Sequence, residues 1–142
     1  LLEAYVDGPE FSVEGYVTGG QVHFVSVTEK LLSAEPYFVE LGHIVQANLS
    51  ESTIHAIKCY TTRVVNALGV NLGPVHCEIR LGQKGPVVME LAARLAGDRI
   101  CDLIDLALGV SLPRIMIETY LSIIRCHPLV LRSVATQGYA SS

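Results

Sequence analysis

The segment VHCEIRLGQKGPVVMELAARL, residues 75–95, restricts the fold more than any other stretch of this chain. Two apolar runs flank a Gly-Gln-Lys-Gly turn, which predicts a β-hairpin. With Gln83-Lys84-Gly85 as the loop, Gly82 pairs with Pro86, Arg80 faces Val88, Glu78 faces Glu90 and His76 faces Ala92. Alternation then puts His76, Glu78, Arg80, Val88, Glu90 and Ala92 on one face. Val75, Cys77, Ile79, Leu81, Val87, Met89 and Leu91 form an apolar wall on the other. Two carboxylates in direct opposition have Cβ atoms ~5 Å apart, and at an effective dielectric of about 20 they repel by about 3 kcal/mol. Either one carboxyl keeps its proton or a cation lies between them. Under the alternative reading the register is shifted and both glutamates are solvated. Two carboxylates without a His or Cys cluster suit a hard ion such as Mg²⁺. Arg94, on the same face if the strand continues, adds a cation suited to phosphate oxygens.

The remaining chain is consistent with a mixed fold. LLEAYV reads as a strand in which the chain begins, and Asp7-Gly8-Pro9 as a turn. Phe11, Val13, Gly15 and Val17 then share one face of the next strand, which Gly19-Gly20 joins to QVHFVSVTEK as a hairpin. Residues 31–49, with Pro36 and Gly42-His43, read as a loop. Ser50 is a good N-cap for a helix over 51–68, where Ile54, Ile57, Val64, Val65 and Leu68 recur at helical spacing, and Gly69 fits the C′ position. Leu103 to Leu108 suggest a short helix ending near Gly109, and Pro113 sits in the first turn of another ending near Leu121. Strands and helices mixed in this way indicate α+β, an antiparallel sheet covered by helices.

Composition excludes several classes of function. The chain's 142 residues make one domain's worth of core, and with 50% hydrophobic and 17% charged residues disorder is not expected. A net charge of −4 and scattered Lys and Arg give no nucleic-acid stripe. LSIIRCHPLVL, residues 121–131, is interrupted by Arg125, His127 and Pro128 and is too short for a membrane span. Cys59, Cys77, Cys101 and Cys126 form no C-x-x-C pair and read as reduced thiols. With no basic leader before Leu1, the expectation is a cytoplasmic protein, and the chain reads as the later part of a larger fold.

VHCEIR followed by MELAARLAGD resembles the second metal-and-phosphate hairpin of the ATP-grasp superfamily. LLEAYVDGPEFSVEG is similar to the hinge strand and following strand of the same fold, and the intervening helix and ALGVNLGPVH have the expected order. The resemblance covers residues 1–121 and implies an incomplete ATP-grasp fold, its C-terminal subdomain, with 122–142 as a divergent tail frayed at its end. The ARLAGDRI continuation is similar to carboxylate–amine ligases, including L-amino-acid (dipeptide) ligases, and less so to biotin carboxylase or D-alanine–D-alanine ligase.

What the resemblance implies is ATP- and Mg²⁺-dependent amide formation through an acyl phosphate, with Mn²⁺ as a substitute ion. Glu3 matches the hinge acid at the adenine amino group, with backbone near Tyr5 and Val6 completing the adenine contacts. Glu10 matches the ribose-binding acid, and Glu78 and Glu90 the carboxylates that bridge metal to phosphates. Arg94 matches the arginine at the transferred phosphoryl group, and Gly97 and Asp98 a loop near the acceptor substrate. Many members have Asn where this chain has Ala92, a small residue of the dipeptide-ligase branch.

Other polar residues carry two readings. His76 is a substrate contact or a hydrogen-bonded sheet histidine, and His43 a substrate contact or a loop histidine. Arg99 is a candidate partner for a substrate carboxylate, and Lys30 reads as a solvated strand-end lysine ahead of a phosphate contact. The implied partners are small carboxylate and amine substrates and the N-terminal ATP-grasp regions, with no nucleic acid and no membrane; a homodimer is left open. The alternatives are a non-catalytic binding module derived from the same fold and a biotin-carboxylase-like enzyme. This chain alone is expected to be inactive.

Overall fold

The computed structural model describes residues 2–121 and 135–138. Among the described residues, six strands form one antiparallel sheet in the order β5-β4-β1-β2-β3-β6. They are β1 (Glu10–Thr18), β2 (Gln21–Leu32), β3 (Glu40–Val45), β4 (Gly73–Gly82), β5 (Gly85–Ala92) and β6 (Ala135–Gly138). The helices are α1 (Glu51–Ala67), α2 (Ile100–Leu108) and α3 (Leu112–Tyr120). The expected α+β class is the observed one. Among the described residues, no helix is long and apolar enough to cross a membrane.

Alternation along β1 divides the sheet into two faces. Phe11, Val13 and Val17 join Val27 of β2 and Val75, Cys77 and Ile79 of β4 beneath Ile57 and Val65 of α1. On the opposite face, α2 and α3 cover one end of the sheet through Val25, Val45, Leu103, Ile104, Leu108 and Leu112. The other end of that face holds the polar residues of β1, β2 and β4. Gly19 and Gly20, at φ 56° and 74°, make the two-residue turn whose twist suits a hairpin. Gly15 stands at a bulge where β2 gains Val25, and a Cβ there would lie 2.4 Å from the His23 carbonyl oxygen. Ser50 caps α1 by accepting from the Thr53 amide, while Leu68 ends the helix exposed instead of packed.

Three expectations are corrected. Residues 2–6 form no strand: among the described residues no ladder includes them, their Val6 carbonyl accepts from a side chain, and β1 begins at Glu10. Residues 31–49 are not all loop. β2 runs on to Leu32 and β3 pairs with it, because ladder pairing overrides the turn signal of Gly42-His43. The β4–β5 turn holds two residues, with Gly82 opposite Gly85, and a bulge between Glu78 and Ile79 restores the expected pairing of Glu78 with Glu90 and His76 with Ala92. The two-residue turn moves Val88 opposite Ile79 and onto the α1 side, and leaves Val87 and Met89 exposed. Cys59, Cys77 and Cys101 are free thiols. The tail's frayed end and Cys126 lie outside the described residues, while 135–138 form β6 against β3.

Candidate active site

The polar end of the sheet is built by residues that share one face. Glu10 lies between Lys30 and Arg80 in the ladders, Ser12 between Thr28 and Glu78, and Glu14 between Ser26 and His76. The Lys30 ammonium, 3% exposed, meets Glu10 Oε1 at 2.9 Å, Glu40 Oε1 at 2.6 Å and Glu78 Oε1 at 3.0 Å. His76 spans two carboxylates, with Nδ1 3.1 Å from Glu14 Oε1 and Nε2 3.2 Å from Glu78 Oε1. Glu14, fully buried, also accepts from the Thr28 hydroxyl at 2.7 Å. Arg80 donates from Nε to Glu10 Oε2 and from Nη1 to the Val6 carbonyl, both at 3.0 Å.

This packing of charge shifts the titrations together. Burial lowers the His76 pKa, but hydrogen bonds to Glu14 and Glu78 outweigh it and raise the group to about 9. The His76 hydrogen bond, with Lys30 behind it and burial opposing, lowers Glu78 to about 2. Burial likewise pulls Lys30 down, and hydrogen bonds to Glu40, Glu10 and Glu78 more than reverse that. At neutral pH the site therefore holds an ammonium, an imidazolium and an ionised Glu78.

The opposed glutamates sit in unlike surroundings. Glu78 is largely buried, whereas Glu90 is 58% exposed and meets Arg94 only at 3.5 Å. β5 ends at Ala92, so Arg94 lies past the strand and reaches back to Glu90 while also donating to the Leu95 carbonyl. The repulsion that a neighbouring cation was expected to relieve is thus relieved in part by Lys30, His76 and Arg94. Two opposed carboxylates, one held ionised, still make an oxygen donor pair of the hard kind that suits Mg²⁺. The Lys30 and His76 contacts to Glu78 both fall on Oε1.

Two clefts adjoin this face. One of about 340 Å³ is lined by Tyr5, Glu10, Lys30, Glu35, Phe38 and Arg80, among others. The second, about 320 Å³, lies between Tyr5-Val6-Asp7 and the β4–β5 turn at Gly82–Val87. Glu10, Tyr5 and Val6 are therefore cleft residues, whereas Glu3 is exposed ahead of them. Gly8 lets the chain turn here, since a Cβ on it would stand 2.3 Å from the Leu81 carbonyl oxygen.

The remaining candidates divide. His43 is buried, its pKa lowered mainly by that burial, and it gathers with Glu40 and Asp98, whose ligand-capable atoms lie within 4.8 Å of one another. Gly97 precedes this group, and Arg99 turns away to Asp102 at 2.9 Å with a side chain 76% exposed. Sequence reasoning missed Glu14 and Glu40 and took Lys30 for a solvated residue. The signal was the polar alternation Ser26, Thr28, Lys30 in an otherwise apolar strand, set against Glu10, Ser12, Glu14.

Comparison with known proteins agrees with this architecture. A protein from Sinorhizobium fredii of uncharacterised function is 34% identical over 112 residues, 79% of this chain and 23% of that protein. The dapdiamide A synthase of Enterobacter agglomerans is 28% identical over 113 residues, 78% of this chain and 26% of that enzyme. The crystal structure of an L-amino acid ligase from Bacillus licheniformis superposes with a TM-score of 0.76 at 32% identity, covering 84% of this chain and 32% of that one. The chain thus spans about a quarter to a third of these relatives' lengths. The ATP-grasp domain family matches residues 1–102, from the segment before β1 to the start of α2, and the chain belongs to that family, near its carboxylate–amine ligases.

Proposed function

We propose that this chain forms the nucleotide- and metal-binding wall of an ATP- and Mg²⁺-dependent carboxylate–amine ligase. The observation that carries the reading is the direct opposition of Glu78 and Glu90, with Glu78 held ionised, beside a cleft that presents Glu10. Likeness to dapdiamide A synthase and to an L-amino acid ligase supports the choice of a carboxylate and an amine as substrates.

Phosphoryl transfer asks a protein for positioning and charge neutralisation and for no protein nucleophile. In this reading the Glu10 carboxylate accepts from ribose hydroxyls, and the backbone at Tyr5 and Val6 with Glu3 orients the adenine. Glu78 and Glu90 hold the metal, which when bound neutralises charge on the phosphate oxygens. Arg94, on the exposed side of Glu90, stabilises the oxygens of the phosphoryl group in transfer. The acid substrate's carboxylate attacks the γ-phosphorus and releases ADP. The amine then attacks the acyl carbon, and phosphate leaves as the amide forms. Glu40, His43 and Asp98 stand at the end of the site suited to the amine, with Gly97 in the adjoining loop, and His76 holds Glu78 in place. By this reading the chain on its own, spanning a third or less of its relatives, binds nucleotide weakly and turns over little.

The test is amine-dependent phosphate release by the protein that carries this chain, given Mg-ATP and pairs of L-amino acids, with products followed by mass spectrometry. One amide formed per phosphate released, lost in Glu90→Gln, is the expected result. Phosphate release that requires bicarbonate and no amine, or no release at all, overturns it.

A further inference from the structure

Arg80 joins three separate parts of the chain at the cleft. From β4 it holds one oxygen of Glu10 and the Val6 carbonyl, each at 3.0 Å. Its guanidinium also lies 4.9 Å from the centroid of Phe38 and 5.6 Å from that of Tyr5. Phe38 takes a left-handed backbone, φ 47°, to place its ring there, and the Tyr5 hydroxyl donates to Glu35 at 2.5 Å across the same cleft. The other oxygen of Glu10 is held by Lys30. Both oxygens of this carboxylate are thus fixed by cations before any ligand arrives.

Resting on the nucleotide-site reading above, we infer that Arg80 is the positioning residue for the ribose and base end of the nucleotide. A planar guanidinium can hydrogen-bond at its edge and stack on its face at once, which a lysine ammonium cannot. One side chain can therefore set the Glu10 carboxylate, the Val6 backbone and the loop carrying Phe38 as one preformed wall. Preforming these groups removes the ordering cost that binding would otherwise carry. Without Arg80 the Glu10 carboxylate keeps Lys30 as its one cationic partner but loses its orientation. The resulting loss falls on recognition of the ribose hydroxyls.

Amide-resolved NMR titration of the 142-residue chain with ATP and with 2′,3′-dideoxy-ATP, both with magnesium, tests this. The wild-type chain binds ATP more tightly than the dideoxy analogue. Arg80→Met weakens ATP about tenfold, by analogy with the lower end of what losing the outer partner of a metal ligand costs, and weakens the analogue less, so the preference between them collapses. Arg80→Lys falls between the two, since it keeps the charge but loses the fork. Phe38→Leu, a change at a side chain 36% exposed, serves if Arg80→Met does not fold, and weakens ATP by a smaller factor. An unchanged ATP-to-dideoxy ratio in a folded Arg80→Met, or an unchanged ATP affinity in Phe38→Leu, overturns the inference alone. Absence of any nucleotide response in the wild-type chain overturns the nucleotide-site reading together with it.

Discussion

Replacing Lys30 with methionine removes the charge at the centre of the site while keeping most of the side chain's volume. The ammonium lies 2.6–3.0 Å from three carboxylates and is almost fully buried. At ~3 Å and an effective dielectric of about 20, each contact has a gross Coulomb energy of roughly 5 kcal/mol. Most of that offsets the desolvation of the ammonium, and removing one partner of a buried pair costs about 3–5 kcal/mol. Glu40 is 34% exposed and Glu78 24%, so solvent screens part of the loss and the lower end, about 3 kcal/mol, applies. For a domain of this size that is a fall in Tm of roughly 10 °C. Urea unfolding with an unchanged slope measures it. A cycle with Glu40→Gln should return a coupling of about 1 kcal/mol, because Glu40 is one of three partners. A Lys30→Met protein within about 0.5 kcal/mol of wild type would mean that Lys30 is the solvated strand-end lysine first read from the sequence, and the charge network described above would be refuted.

Two further predictions concern the same face and its frame. The His76 pKa is raised from 6.5 to about 9, so the stability it contributes is complete below about pH 6.5 and is lost as pH rises through 9. Glu78, lowered from 4.5 to about 2, contributes above about pH 4.5 and loses that contribution as pH falls through 2. Thermal melts in chelator should therefore decline between pH 6.5 and 9 in wild type and flatten there in His76→Gln; parallel slopes in the two proteins would refute the assignment. Gly15→Ala places a methyl 2.4 Å from a β2 carbonyl oxygen and should destabilise by about 1–3 kcal/mol in the same melts, and an unchanged Tm would contradict the backbone packing at that bulge.

What could be read from the sequence was local. Gly19-Gly20, the Ser50 cap and the stripe of α1 each act within a few residues, and each signal matches the structure except at Leu68, where the stripe ends in solvent. The opposition of Glu78 and Glu90 followed from a turn and a period of two, although two errors cancelled in it: a turn one residue too long and an unforeseen bulge. β3 was hidden because Pro36 and Gly42-His43 carry turn chemistry and only the ladder to β2 makes that segment extended. Lys30 and Glu14 were missed for a related reason. Their burial depends on three strands that are neighbours in space but far apart in sequence, which alternation within one strand does not reveal. Lys30, His76 and Arg94 supply positive charge to the opposed glutamates from within the chain, and the hairpin's own pattern of two does not reveal Lys30 on β2.

The central claim is that Glu78 and Glu90 together hold a divalent ion with nucleotide, and Mg-ATP-dependent stabilisation of the chain tests it most directly. With Mg-ATP at about ten times its dissociation constant, linkage gives roughly 1.4 kcal/mol, a rise in Tm of about 4 °C in the wild-type chain. The account predicts that Glu90→Gln, a change at an exposed side chain, loses most of this rise while its Tm without magnesium stays near that of wild type. Equal Mg-dependent shifts in the two proteins would contradict it.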